Sequence, residues 1–225
     1  MIRSAFHPFT SSLKTRLWVN FSTRDLWGAV GLCRSAGRNL ICSERWDWRT
    51  ILVNSVSGLT YRHMELEDLE QVQEIDRLSF SIPWPTTSYR FELLENPGSI
   101  LWVAEDQSSG GKGQVVGMIV VWMILDEAHI ATIVVHPEYR GKGIGRELLA
   151  GALEESIQKG AREAMLEVRA NNQTAQALYR DFGFVIVGRR PRYYKDNQED
   201  AVLMSITNLD PHYLEWLKDG KWKVA

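Results

Sequence analysis

The junction at residues 133–146, Ile133-Val134-Val135-His136-Pro137-Glu138-Tyr139-Arg140-Gly141-Lys142-Gly143-Ile144-Gly145-Arg146, constrains the fold more than any other stretch of the chain. An apolar strand runs into three alternating glycines and then directly into an amphipathic helix with Ile144, Leu148, Leu149, Ala152, Leu153 and Ile157 on its apolar face. The first-turn N–H groups of such a helix have no intrahelical acceptor and point into the preceding loop, which makes the loop an anion site. Gly141, Gly143 and Gly145 let the backbone approach a ligand closely and are expected to adopt positive φ. Arg140, Lys142 and Arg146 add charge suited to a diphosphate.

Two common phosphate motifs do not fit this turn. A dinucleotide fingerprint starting at Gly141 or Gly143 would need glycine or alanine where Arg146 and Leu148 stand, and the chain has no Gly-Lys-Ser or Gly-Lys-Thr for a P-loop. A glycine-rich turn without a ligand is the bland alternative.

The flanking pattern predicts an α/β architecture. A strand over Leu59–His63 precedes a helix carrying Leu66, Leu69, Val72, Ile75 and Leu78, and a second helix is expected to be capped by Thr86-Thr87 and ended by Asn96-Pro97-Gly98. Ile100–Ala104 and Val115–Leu125 read as a hairpin about Ser108-Ser109-Gly110-Gly111, with a third run over Ala128–Val135. After Gly160 stops the glycine-turn helix, a strand over Ala164–Val168, a helix over Thr174–Phe182 and strands over Phe184–Val187 and Ala201–Ile206 follow. This order implies a mixed, mostly antiparallel sheet flanked by helices.

Charge divides the chain. Residues 1–57 hold eight basic and three acidic residues with four tryptophans and no sustained period, whereas the rest holds 18 basic and 25 acidic residues. We read 1–57 as a poorly structured basic leader, 58–207 as the folded domain and 208–225 as a helical tail in which Leu214, Trp216 and Leu217 can dock on the domain or on another subunit. The leader has the composition of an organelle transit peptide. A bacterial start assigned too far upstream, or a binding arm, gives the same pattern. The expected location is the bacterial cytoplasm, or a plastid or other organelle if the leader is a transit peptide.

Several classes are excluded. Cys33 and Cys42 alone cannot build a disulfide framework or a Cys-x-x-Cys zinc site, and no metal is expected. The apolar run Val115–Leu125 is too short to span a bilayer. A net charge of -2 gives no basic field for nucleic acid.

Downstream of the turn, Leu166-Glu167-Val168-Arg169 leads into Asn171-Asn172-Gln173-Thr174-Ala175-Gln176-Ala177-Leu178-Tyr179-Arg180-Asp181-Phe182-Gly183-Phe184. The succession R-x-x-G-x-G, strand, N-x-x-A-x-x-L-Y-x-x-x-G-F resembles the GNAT acyl-CoA-dependent N-acetyltransferases over about residues 58 to 207. A finer resemblance is to the RimI-type ribosomal-protein-alanine N-acetyltransferases. It rests on Pro83-Trp84, Leu125-Asp126-Glu127-Ala128, Leu166-Glu167-Val168-Arg169, Arg189-Arg190, Tyr193-Tyr194 and Glu199-Asp200-Ala201 with Met204. The chain departs from that pattern at Pro191, Arg192 and Lys195.

The resemblance implies acetyl-CoA as co-substrate. Its pyrophosphate would lie on Arg140, Gly141, Lys142, Gly143, Ile144 and Gly145, its pantetheine arm along Ile133, Val134 and Val135, with Asn172 contributing. It also implies Glu167 as general base and Tyr179 as general acid, acting by direct transfer to a protein N-terminus. Pro83, Trp84, Glu127, Tyr193 and Tyr194, with Phe80, are the expected acceptor walls. Read from the residues alone, Glu167 could be a solvated carboxylate facing Arg169, Tyr179 a core tyrosine, Asn172 a helix cap and His136 structural, while His129 shares a face with Glu127. Three functions follow: acetylation of the N-terminal alanine of a small-subunit ribosomal protein, acetylation of a lysine or small amine, or silent acyl-CoA binding.

Overall fold

The computed structural model describes residues 2–3, 58–108 and 113–224; the leader beyond Ile2 and Arg3 lies outside them. The strands are β1 (Ile2–Arg3), β2 (Leu59–His63), β3 (Ser99–Asp106), β4 (Gln114–Ile124), β5 (Glu127–Val135), β6 (Glu163–Arg169), β7 (Val185–Tyr194) and β8 (Glu199–Ile206). The helices are α1 (Leu69–Ser79), α2 (Thr86–Leu94), α3 (Ile144–Gln158), α4 (Gln173–Asp181) and α5 (Pro211–Lys218). The sheet order is β2-β3-β4-β5-β6-β8-β7, antiparallel except for β5 and β6.

Helices cover both faces of the sheet, which is why β4 reads as a continuous apolar run rather than an alternating one. One face packs against α3, α4 and α5 through Ile119, Ile130, Ile133, Leu148, Leu149, Leu153, Leu166, Val168 and Tyr179. The other packs against α1 and α2 through Val72, Ile75, Tyr89, Val103, Met118, Val120 and Val134. Leu148, Leu149 and Leu153 are fully buried, so truncating any one to alanine costs about 2–5 kcal/mol.

The parallel pair positions the site. β5 and β6 are hydrogen-bonded only from Glu127–Ile130 to Glu163–Leu166, after which they part. On β5 the parting coincides with a bulge, since Val120 faces Thr132 while Val121 faces Ile130, leaving Ala131 as the extra residue. On β6 the first residue past the pairing is Glu167. β4 occupies the other edge of β5 throughout, so β1 pairs with Thr132 and Ile133 on the edge facing the gap, and it also touches β6.

Local signals explain most boundaries. Asn172 caps α4 by accepting from Ala175 N at 3.2 Å, and Gly183 ends that helix at φ 86°. Asp210 caps α5 with Pro211 in its first turn. Two expectations are corrected. Thr86 and Thr87 lie inside α2, whose cap position is Pro85 with no side-chain cap bond. β7 does not stop at Val187 but runs to Tyr194, so Arg189, Arg190 and the tyrosine pair stand on a strand. The tail docks on its own domain: Leu217 and Trp222 join the core, and Trp216 meets Phe182 edge-on at 5.9 Å.

Candidate active site

The glycine turn is built as a cradle. Gly141 and Gly143 have φ of 79° and 80°, and a Cβ at either would meet nothing within 4 Å, so open space lies over the loop at the start of α3. Gly145 differs from expectation. It has no positive φ and sits in the first turn of α3, where a Cβ would only touch Val135 and Leu178 side chains at 3.8 and 3.9 Å.

The loop cations are held in distinct ways. Arg140 Nε donates to the Val135 carbonyl at 3.1 Å and its Nη2 to Ser79 Oγ at 3.2 Å, fastening the loop to the ends of β5 and α1. Lys142 is exposed, with its ammonium 4.4 Å from the Tyr139 ring centroid. Arg146 turns instead to Asp181 and to the Trp222 carbonyl, so its charge joins α3 to α4 and the tail. His136 accepts from Glu138 N at 3.4 Å as a turn cap, a structural role.

Along β5 the residues beyond the bulge, Ile133, Val134 and Val135, have no partner on β6, so their edge groups face the gap. A pantetheine arm bonded there and β1 are alternatives, because both use the same edge. Tyr179 is fully buried, and its hydroxyl has no hydrogen-bond partner among the described residues. An orphaned buried phenol is costly unless a ligand supplies its partner. Burial, and then Tyr194, hold it well above the usual tyrosine range, so it is a protonated donor at neutral pH. The open cradle, the β5 edge beyond its pairing with β6 and this phenol together fit a thioester carried on a long phosphorylated arm.

Glu167 lies on the opposite face. Leu166 and Val168 point into the α3 and α4 core, so Glu167 faces the α1 and α2 side, 4% exposed. Arg169 shares that face, and its guanidinium bonds Asp196 and Glu199 and lies 4.0 Å over the Tyr194 ring. Arg190 Nη1 reaches Glu167 Oε1 at 2.7 Å, and the Tyr193 hydroxyl donates to Oε2. Burial first and the Glu167 bond second push the Tyr193 phenol up.

Around this carboxylate the acceptor candidates separate. Tyr193 touches it directly, whereas Tyr194 is buried beneath Arg169. Trp84 is half-buried against Tyr89 at 4.9 Å and Trp122 at 6.1 Å, held by its backbone N–H on Asp76; Pro83 is exposed at its side. Glu127 bonds His129 at 2.8 Å at the far end of β5. Four residues before the bulge, it lies about 13 Å along the strand from the parting point. Two contributors were missed in the sequence, the Trp122 ring under Trp84 and the Ser81–Asp196 hydrogen bond joining the α1–α2 connection to the β7–β8 turn. No local signal announces either, because both arise from long-range packing.

The acetyltransferase (GNAT) family model matches residues 69–184. A Bacillus subtilis protein provisionally named [ribosomal protein bS18]-alanine N-acetyltransferase is 42% identical over 146 residues, 65% of this chain and 93% of that protein. The crystal structure of the ribosomal-protein-S18-alanine N-acetyltransferase from Escherichia coli superposes with a TM-score of 0.59 at 29% identity, covering 66% of this chain and 92% of that one. A chain of the NatC complex bound to Gag peptide and CoA gives 0.60 at 26% identity, covering 67% and 98%. The family match takes in the glycine turn, Glu167 and Tyr179 together, and the chain belongs to the GNAT acetyltransferase family.

Proposed function

We propose that the protein transfers acetyl from acetyl-CoA to the N-terminal alanine amine of a small-subunit ribosomal protein, in one ternary complex. The observation that carries this reading is the buried carboxylate of Glu167 at the point where β5 and β6 part, on the face opposite the orphaned phenol of Tyr179. The names of the Bacillus subtilis and Escherichia coli relatives support the substrate class.

Acetyl-CoA supplies an acetyl group already activated as a thioester, so no nucleophile of the chain is needed. The N–H groups at the start of α3 and the open Gly141–Gly143 cradle would hold its pyrophosphate, the β5 edge at Ile133–Val135 its arm, and Asn172 the far wall. An N-terminal ammonium has an ordinary pKa of about 7.7–8.0 and must lose a proton to attack. Glu167 accepts that proton, directly or through water, as the amine bonds to the acetyl carbon. Tyr179 gives a proton to the sulfur as the carbon–sulfur bond breaks, and the second proton, shed by the acylated nitrogen, restores the phenol.

The test is CoA release from acetyl-CoA with a free-amine peptide beginning in alanine, set against an N-blocked peptide bearing an internal lysine. Preference for the first is expected. Turnover with the second alone would move the protein to the lysine class, and CoA release with neither, despite acetyl-CoA binding, would leave a binding module.

A further inference from the structure

We propose that Arg190 is a positioning residue that occupies the seat of the acceptor's ammonium on Glu167 and yields it when an acceptor N-terminus enters. This rests on the reading of Glu167 as the acceptor-side carboxylate. Both oxygens of Glu167 are engaged, Oε1 by Arg190 and Oε2 by the Tyr193 hydroxyl. The two oxygens offer about four acceptor positions, but with the side chain 6% exposed an entering ammonium has no open path to them, so the seat is freed when one partner leaves.

The two candidates for departure differ. The Glu167 side chain is 6% exposed and that of Arg190 is 43% exposed. Stripping the carboxylate of every cation would leave a buried unpaired charge, whereas the guanidinium already stands half in water. Exchange of one cation for another keeps the buried charge paired throughout. Tyr193 is a neutral donor, and its loss would bring no such exchange.

The backbone gives Arg190 room. It is the last residue of β7 in register with β8 before a bulge, pairing with Ala201 while the next register pair is Tyr194 with Glu199. Arg192 inside the bulge has φ 50°, and its N–H donates to Asp200. Two residues before Arg190, on the same face, a Cβ at Gly188 would meet nothing within 4 Å, so the strand is open where a long side chain would swing. The Tyr193 ring, 5.4 Å from the guanidinium, is a second resting place for it. Two other basic side chains of this face are engaged elsewhere. Arg169 is held by Asp196 and Glu199, and His129 by Glu127.

The experiment measures, with CoA bound so that no turnover occurs, the Kd of a peptide beginning in alanine and of its des-amino counterpart, by calorimetry on the full chain. In the parent the gain from the amine is blunted by the displaced guanidinium. Arg190→Gln is expected to widen the preference for the amine by roughly threefold or more, and Arg190→Lys to leave it near the parent value. A preference unchanged or narrowed in Arg190→Gln overturns the proposal, since a merely structural role would weaken both peptides alike. Should Arg190→Gln not fold, Arg190→Met, which keeps the aliphatic stem, is read the same way. Glu167→Gln separates the two readings: if the amine preference survives that change, Glu167 is not the seat at all, whatever Arg190 does.

Discussion

Glu167 and Tyr179 lie on opposite faces of the sheet, the carboxylate on the α1 and α2 side and the phenol in the core beneath α3 and α4. In the proposed reaction the proton acceptor and the proton donor therefore act from the two faces of the sheet. Glu167→Gln keeps the shape and removes the proton acceptor. Turnover with the alanine peptide should fall by roughly 10²–10⁴ with thermal stability retained. A loss under about threefold with the fold intact would remove Glu167 from the role of base.

Tyr179→Phe separates catalysis from stability more sharply. The hydroxyl is buried without a partner among the described residues, so deleting it relieves a desolvation cost of about 1–3 kcal/mol. The variant should be as stable as the parent or more stable, yet turn over at least about tenfold more slowly. Thermal melts beside steady-state rates decide it. A destabilised variant of normal activity would make Tyr179 a core residue only.

The glycine turn was legible in the sequence because everything that shapes it is local: an apolar strand, glycines at fixed offsets and an amphipathic helix. Alternation along 165–169 likewise put Glu167 on the face opposite Leu166 and Val168. The end of β7 was hidden, since Gly188 and Pro191 interrupt the β-branched run that marks its start. Proline survives there because β7 is an edge strand and Pro191 sits in a bulge. The grip of Tyr193 on Glu167 spans 26 residues and that of Ser81 on Asp196 spans 115. No periodicity encodes such contacts.

Two glycines of the turn predict opposite outcomes for the same substitution. Gly143 holds φ 80° at the N-cap of α3, so Gly143→Ala should cost about 1–2 kcal/mol and raise the KM for acetyl-CoA while leaving the acceptor KM unchanged. Gly145 is helical with ordinary space around its Cβ, so Gly145→Ala should be neutral or gain about 0.5–1 kcal/mol. Denaturant unfolding with acetyl-CoA saturation curves checks both. Equal effects at the two positions would contradict the backbone geometry.

Alkaline pH should unfold the protein through its tyrosines. Burial, the leading cause in each case, raises the phenols of Tyr61, Tyr179, Tyr193, Tyr194 and Tyr213 above the ordinary value. The folded state therefore keeps protons that the unfolded chain releases above about pH 10. The resulting stability is fully present below that pH and is lost as pH rises toward the folded values. Melting temperatures from about pH 8 to 11.5 should be level at first and then fall, with phenolate absorbance lagging free tyrosine. Phenolate titrating at the ordinary value in the still-folded protein would refute the burial argument.

The Ser81–Asp196 hydrogen bond joins the two segments that flank the proposed acceptor face, the α1–α2 connection beside Trp84 and the β7–β8 turn beside Tyr193. Arg169 anchors Asp196 from β6 at 2.7 Å, so the link is tied to the strand that bears Glu167. The bond is exposed, and its loss should cost no more than about 1 kcal/mol of stability. Its effect should fall on binding: Ser81→Ala is expected to raise the KM for the alanine peptide several-fold, with acetyl-CoA KM and kcat within about twofold of the parent, because it loosens the acceptor side and leaves the glycine turn untouched. The same variant should gain ground on the N-blocked lysine peptide, since two untied segments admit a chain entering side-on. Steady-state kinetics with both peptides read this directly. A change confined to acetyl-CoA, or none at all, would show that the two segments keep their places without the bond.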